Sequence, residues 1–259
     1  MTAVITPADR PGSYLLTLDA MPQSHVDLED PTRLVFDYVR RMADVVDAAR
    51  PTGERLRIVH VGGAAMTLPR YVAATRPGSS QIVLEPAAAV TAQVRAELPL
   101  PPRSGIKVRP VDGRTGLAQL RDDSADLIVL DAFAGGRVPA DLVTVQAFAE
   151  AGRVLDPVGL LVLNLVDRAP FTHTRRVLAA VRAAFDRVVV VADSGTLRGK
   201  RRGNLVVTAG AALPEAALAR PLTSTATPYR LLAGAEVTDR LGGGRPFTDQ
   251  DTEPGPAPD

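Results

Sequence analysis

"VVVVADSGTLRGKRRGNLVVT", residues 188–208, decides the fold. Its two apolar runs, Val188–Val191 and Asn204–Thr208, read as strands, because β-branched residues suit a pleated, half-buried surface. The linking ADSGTLRGKRRG (192–203) is Gly-rich, strongly basic and without helical apolar spacing. Parallel neighbours are usually joined by a crossover helix, and this linker is too short and polar to supply one comfortably. The two strands are therefore expected to form an antiparallel hairpin. RGKRR (198–202) then reads as its solvated tip, with phosphate or an acidic partner as the lesser alternative.

Upstream, short apolar runs alternate with helical stretches. Strands are expected at Leu56–Val61, Gln81–Glu85, Ile106–Val111, Asp126–Leu130 and Leu160–Leu165, and helices at 67–76, 87–98, 114–121, 139–154 and Thr172–Phe185. Continuous apolar strands separated by helices imply a parallel sheet covered on both faces. Five parallel strands followed by a sixth hairpinned to an antiparallel seventh is the pattern of S-adenosylmethionine-dependent transferases, whereas an NAD-type dehydrogenase domain has six parallel strands. The expected fold class is α/β: a Rossmann-like, seven-stranded methyltransferase sheet behind a small N-terminal β-hairpin domain.

That hairpin is SYLLTLDAMPQSHVDL (13–28), two strands around a turn at Asp19–Pro22, after a frayed 1–12. DPTRLVFDYVRRMADVVDAAR (30–50) reads as a helix with Asp30 as N-cap and Pro31 at the first helical position. Leu34, Val35, Tyr38, Val39, Met42, Val45 and Val46 form its apolar stripe. The units are then 1–12 flexible, 13–30 β-hairpin domain, 31–210 cofactor-binding domain and 211–241 extension with a small helix and an edge element. Residues 242–259 form an irregular or disordered tail.

Composition narrows the classes. Hydrophobic residues are 46% of the 259, enough for a core. Aromatics are 4% with no Trp, which argues against a base-stacking nucleic-acid surface. The net charge of +1, with acids and bases interleaved, gives no electrostatic footprint for DNA or membrane. With no cysteine there is no disulfide, thiolate catalysis or thiolate metal site. No basic start with an apolar stretch opens the chain, and no apolar run reaches about 18 residues, so a soluble, cytoplasmic protein is expected.

In an open α/β sheet, ligands bind beyond the carboxyl ends of the strands. There the first strand is followed by Gly62 and Gly63, the second ends on Glu85, the third is followed by Asp112, and the fourth by Asp131. The glycines allow a tight turn and a close approach of backbone to ligand. Glu85 is placed to accept from a ribose diol, and Asp112 from an adenine amino group, although Asp112 could instead cap the helix near Arg114. Asp131, in LIVLDAF, faces the reacting end as a general base or a partner for a cationic substrate. Of the three histidines, His60 reads as a buried, hydrogen-bonded core residue, His173 as a surface residue opening a helix, and His25, beside Gln23, as a site residue. Their scatter gives no metal site.

These residues resemble the spermidine synthase family of polyamine aminopropyltransferases, over about 13–210. LDAMPQ is similar to the family's L-D-G-x-x-Q and supplies Asp19 and Gln23. GGAAMT resembles G-G-G-D-G-G, keeping Gly62 and Gly63 but carrying Ala64, Ala65 and Met66. EPAAAV resembles E-I-D-P-A-V, keeping Glu85 and placing Ala87 at the following acid. VDG resembles G-D-A and gives Asp112 with Gly113. DAFAGGRVP resembles D-S-S-D-P-x-G, keeping Asp131 and placing Ala134 at the second acid.

The resemblance implies a class I methyltransferase-like domain that binds S-adenosylmethionine or its decarboxylated form, with methylthioadenosine or S-adenosylhomocysteine as product and no metal. It implies Asp131 as the base, Gln23, Gly62, Gly63, Glu85, Asp112 and Gly113 as cofactor-binding residues, and His25 and Tyr38 as substrate-binding residues. The partner is a small-molecule amine, and a homodimer through the N-terminal β region follows by analogy. The residues kept suit the adenosine half; the acids lost at Ala65 and Ala134 suit the ammonium groups of donor and diamine. Three readings stay open: aminopropyl or methyl transfer to an amine, methyl transfer to a non-polyamine acceptor, and a non-catalytic nucleoside-binding homologue.

Overall fold

The computed structural model describes residues 2–224 and 227–258. Three antiparallel strands open the chain: β1 (Ala3–Pro7), β2 (Ser13–Leu18) and β3 (Met21–Asp27), in the order β1-β2-β3. Residues 3–7, expected to be frayed, pair with β2 from Ala3↔Leu18 to Pro7↔Tyr14, and Ala3 and Ile5 pack on the cluster beneath. Period-2 alternation in AVITP supplies that apolar face.

Next come α1 (Asp37–Ala49), β4 (Arg57–Val61), α2 (Thr67–Thr75), β5 (Ser80–Leu84), α3 (Ala88–Glu97), β6 (Ile106–Arg109), α4 (Gly113–Ala118), β7 (Ala125–Leu130), α5 (Val145–Val154), β8 (Leu155–Asp167) and α6 (Thr172–Val181). The chain continues through β9 (Arg187–Asp193), α7 (Ser194–Leu197), β10 (Gly203–Gly210), α8 (Glu215–Ala219), β11 (Tyr229–Ala233) and α9 (Ala235–Leu241). The main sheet has eight strands in the order β11-β9-β10-β8-β7-β4-β5-β6. β4 to β8 are mutually parallel, and β10 is antiparallel to both β8 and β9. The hairpin expected from 192–203 is present, with one helical turn, α7, in its connection. The eighth strand, β11, runs antiparallel to β9 and caps that edge.

Strand alternation divides the core between the two faces. Ile58, Leu127 and Val129 pack with Val39, Met42, Val45 and Val46 of α1, while Val59, Val61, Ile128 and Leu130 pack with Phe148, Val177 and Leu178 of α5 and α6. His60 is a core residue, bonded through Nε2 to Gln81 Oε1 at 3.0 Å. Burial pushes its pKa down to about 4, so the ring is neutral at neutral pH.

The helix expected from Asp30 begins only at Asp37. The Asp30 carboxylate accepts from the Thr32 N–H (3.1 Å) and hydroxyl (2.5 Å), and Asp27 accepts from the N–H groups of Glu29 and Asp30. These local bonds give the backbone a turn in place of a helix start. Residues 34–36 therefore lie off the helix, with Phe36 at its N-cap and its ring stacked 6.1 Å from Tyr38.

The tail after Gly242 is irregular through residue 258, and it is docked. Phe247 is fully buried and its ring lies 5.1 Å from His173, which is therefore a buried residue and not the surface one anticipated. Farther along, the Gly255 N–H donates to the Val138 carbonyl at 2.9 Å, and Arg137 Nε donates to the Gly255 carbonyl at 2.5 Å. Among the described residues, no helix is long and apolar enough to cross a membrane.

Candidate active site

The carboxyl ends of β4, β5 and β7 meet at a cavity of about 410 Å³, within the roughly 300–1,000 Å³ usual for small-ligand sites. Gly62, Gly63, Glu85, Asp112, Gly113 and Asp131 all line it, as do Gln23 from β3 and Tyr38 from α1. The sequence-expected residues therefore converge, with one exception.

Gly62 has φ +92°, and a Cβ there would stand 2.4 Å from the Asp131 carbonyl oxygen. Only glycine fits, which locks the ends of β4 and β7 together. Beyond it the loop keeps left-handed backbone without glycine: Ala64 has φ 41° and Met66 φ 61°. Each such residue costs about 1–2 kcal/mol. Glu85 offsets this by binding the loop, its Oε2 accepting from the N–H groups of Gly63 (2.9 Å) and Ala64 (3.2 Å), and its Oε1 from the Ala87 N–H (2.9 Å). Ala64 lines the cavity, whereas Ala65 is buried in the cluster under the N-terminal sheet with Met66, Val83, Leu16 and Val26. The loss of an acid at 65 is thus filled by apolar packing behind the loop.

Asp112 caps α4, its Oδ1 accepting from the Thr115 N–H at 2.8 Å, and this bond holds its carboxyl below the usual range. The capping role weighed from sequence is realised, on a residue that also faces the cavity. Asp131 differs. Burial pushes its pKa up to about 6, opposed by Asn164, whose Nδ2 donates to Oδ1 at 3.0 Å. Asn164 is itself 1% exposed and accepts from Asn204 Nδ2 at 2.9 Å. Tyr38 is held protonated, its pKa raised by burial and by the Asp131 anion. A carboxylate titrating near neutrality beside a neutral phenol can accept a proton from a bound nucleophile.

His25 is the exception. It is buried away from the cavity wall, with Nε2 3.2 Å from Asp9 Oδ1. Two residues beyond Gln23 is roughly 7 Å farther along a strand, enough to leave the site. Two amides went unread in the sequence, Asn164 and Asn204; a lone Asn within LLVLNLV was the available signal, since a buried amide must find partners. Phe36 and Phe133 also line the cavity unanticipated. The loop after Asp131 turns back at Ala134–Arg137, where Gly135 (φ +57°) and Gly136 (φ +72°) supply the positive φ values of a two-residue turn. Ala134, exposed at the near flank of that turn, also lines the cavity. Among the described residues, no cluster of His, Asp or Glu has the makings of a metal site.

No family model matches the chain. A polyamine aminopropyltransferase of Vibrio vulnificus is 27% identical over 175 residues, covering 65% of this chain and 57% of that protein, so the chain spans a little over half the length of that relative. The crystal structure of a probable spermidine synthase from Corynebacterium glutamicum superposes with a TM-score of 0.86 at 29% identity, covering 95% of this chain and 93% of the other. Human methyltransferase-like protein 13, solved with S-adenosylhomocysteine, shares the fold at a TM-score of 0.57 and 20% identity, over 73% and 94% of the two chains. By sequence and by architecture, the chain is spermidine synthase-like, with the sheet of the class I S-adenosylmethionine-dependent methyltransferases behind a small N-terminal β-sheet.

Proposed function

We propose that this chain is a transferase that binds S-adenosylmethionine or its decarboxylated form and moves an aminopropyl or methyl group to a small amine, with an acceptor pocket altered from that of true spermidine synthases. The observation that carries this reading is Asp131: a carboxylate without a cationic side-chain partner among the described residues, raised to about 6 and steadied by one buried amide at the cavity wall.

The cavity suits an adenosyl group, because Gly62 and Gly63 bring backbone close to it and Glu85 keeps lone-pair capacity on Oε1 for a ribose hydroxyl. When bound, such a donor supplies a carbon next to a sulfonium. The amine lone pair forms the new N–C bond, the C–S electrons go to sulfur, and the amine proton passes to Asp131. Gln23, Asp112 and Gly113 border the donor side, and Tyr38 borders the acceptor side.

Methyl transfer from the carboxylated donor is the second reading. It is favoured by the sequence of the loop 62–67, which holds no acid to repel the donor carboxylate. The site is proposed to act in a cytoplasmic homodimer joined through the N-terminal sheet, with neither nucleic acid nor membrane as partner; light scattering after gel filtration checks the dimer. Calorimetry with S-adenosylmethionine, its decarboxylated form and methylthioadenosine tests the function. Preference for the decarboxylated donor supports aminopropyl transfer and preference for the carboxylated one supports methyl transfer. If none of the three binds, both enzyme readings are wrong.

A further inference from the structure

A second cavity, of about 340 Å³, adjoins the first, and the two share Gln23, Phe36, Tyr38 and Phe133. Asp131 lines the first, and Asn164, bonded to it, lines the second. The proton-accepting carboxylate therefore stands at their junction, and a nucleophile reaching Asp131 from the second cavity leaves the first free for a donor.

The chemistry of the second wall is unlike that of a polycation site. It is built from the shared aromatics, apolar side chains and the amides of Gln23, Asn164 and Asn204. Among the described residues no carboxylate lines it, and its charged side chain is Arg202. Arg202 Nη2 donates to the Pro256 carbonyl at 2.8 Å and Nη1 to the Ala257 carbonyl, while Nε is buried without a partner. Both acceptors are neutral, so the guanidinium is held in place with no carboxylate partner among the described residues. A second ammonium brought here would lose water, meet a like charge and find no anion. A carboxylate would instead find a fixed guanidinium whose Nη1 and Nη2 each carry one N–H beyond the two bonds to the tail. Of the acids lining the first cavity, Glu85 and Asp112 bind backbone amides, Asp19 accepts from the Thr2 N–H at 2.7 Å and Asp131 is the proton acceptor, while Asp141 is exposed and does not line the second wall.

We propose that the acceptor is an amine bearing a carboxylate, not a second ammonium, at its far end, with Arg202 as the residue that selects it. This rests on the transferase reading above.

The test uses three probes with the same reacting amine: 4-aminobutanoate, butylamine and 1,4-diaminobutane. Each is titrated calorimetrically into the full chain, with and without saturating methylthioadenosine. The expected order of affinity is 4-aminobutanoate, then butylamine, then the diamine, with about 10-fold or more between first and last, the size of one charge-assisted hydrogen bond. Arg202→Gln should bring 4-aminobutanoate down to the level of butylamine, and Arg202→Glu should favour the diamine. A wild-type preference for the diamine, equal affinity for all three, no binding of any, or an order unmoved by both variants would overturn the proposal. Methylthioadenosine binding is read separately, so failure of the transferase reading is distinguishable from failure of the acceptor assignment.

Discussion

β7 carries an aspartate just inside one end and another just past the other, and the two lead opposite lives. Asp126, at the amino end, accepts from the Arg57 N–H (2.7 Å) and guanidinium (2.8 Å) and from Arg50 (3.3 Å), with Asp156 sharing both arginines. Burial raises its pKa, but Arg57 outweighs this and holds the carboxyl well below the usual range. Asp131, at the carboxyl end, has an amide for a partner and is pushed up to about 6. A carboxylate fully satisfied by arginines fastens strands together; one left with a single amide stays available to a proton. The difference teaches that residue type and strand position are not enough to name a site, and that what faces the carboxylate decides.

Four substitutions would break or sharpen this contrast. Asp131→Asn keeps an acceptor for Asn164 and removes the base, so transfer should fall about 100- to 10,000-fold with donor affinity retained, measured by single-turnover mass spectrometry. Unchanged turnover would remove Asp131 from the chemistry. A raised folded-state pKa means the native state takes up a proton more readily than the unfolded one, so stability falls as pH rises from about 4 to about 6. Asp131→Asn should abolish that fall and be no less stable than wild type at pH 7.

Gly62→Ala strikes the same end of β7 through its backbone. Left-handed strain and a Cβ 2.4 Å from the Asp131 carbonyl should together cost about 2–5 kcal/mol in urea unfolding.

Asn164→Leu removes the donor that favours the Asp131 anion. The acidic limb of the pH–rate profile should therefore move to higher pH by about one to two units. A limb that does not move would mean that Asn164 only fills space.

Asp126→Asn has the smallest expected effect, a loss of about 1–2 kcal/mol at pH 7 with donor binding untouched, since its arginines are half-exposed. The depressed pKa implies that its stabilisation is present above about pH 4 and lost as pH falls further. Unfolding curves of wild type and variant should therefore converge in acid.

The contrast also explains what the sequence disclosed. Central parallel strands are buried on both faces, so their apolar runs were plain, and the residues just beyond their carboxyl ends (Gly62, Glu85, Asp112, Asp131) fell where ligands bind in such sheets. The antiparallel side was harder. Asn164 and Asn204 are diagonal neighbours across the β8–β10 ladder, a relation that only the register Asn204↔Val166 reveals. The false helix start at Asp30 came from a good capping residue whose carboxylate satisfies a turn instead, and the same turn frees Phe36 for the site. Ala65 read as an edit to ligand binding, yet its side chain faces the core, because a loop with alternating positive φ sends neighbouring side chains in different directions.

The docked tail has a consequence for local unfolding. The loop after Asp131 is pinned by the Arg137–Gly255 and Gly255–Val138 bonds, and a Cβ on Gly136 would meet Pro258 Cγ at 2.6 Å. Loop and tail thus form one cooperative opening unit, and the amide of Gly255, far from the acids in sequence, should exchange with solvent at the rate at which the loop over Asp131 opens.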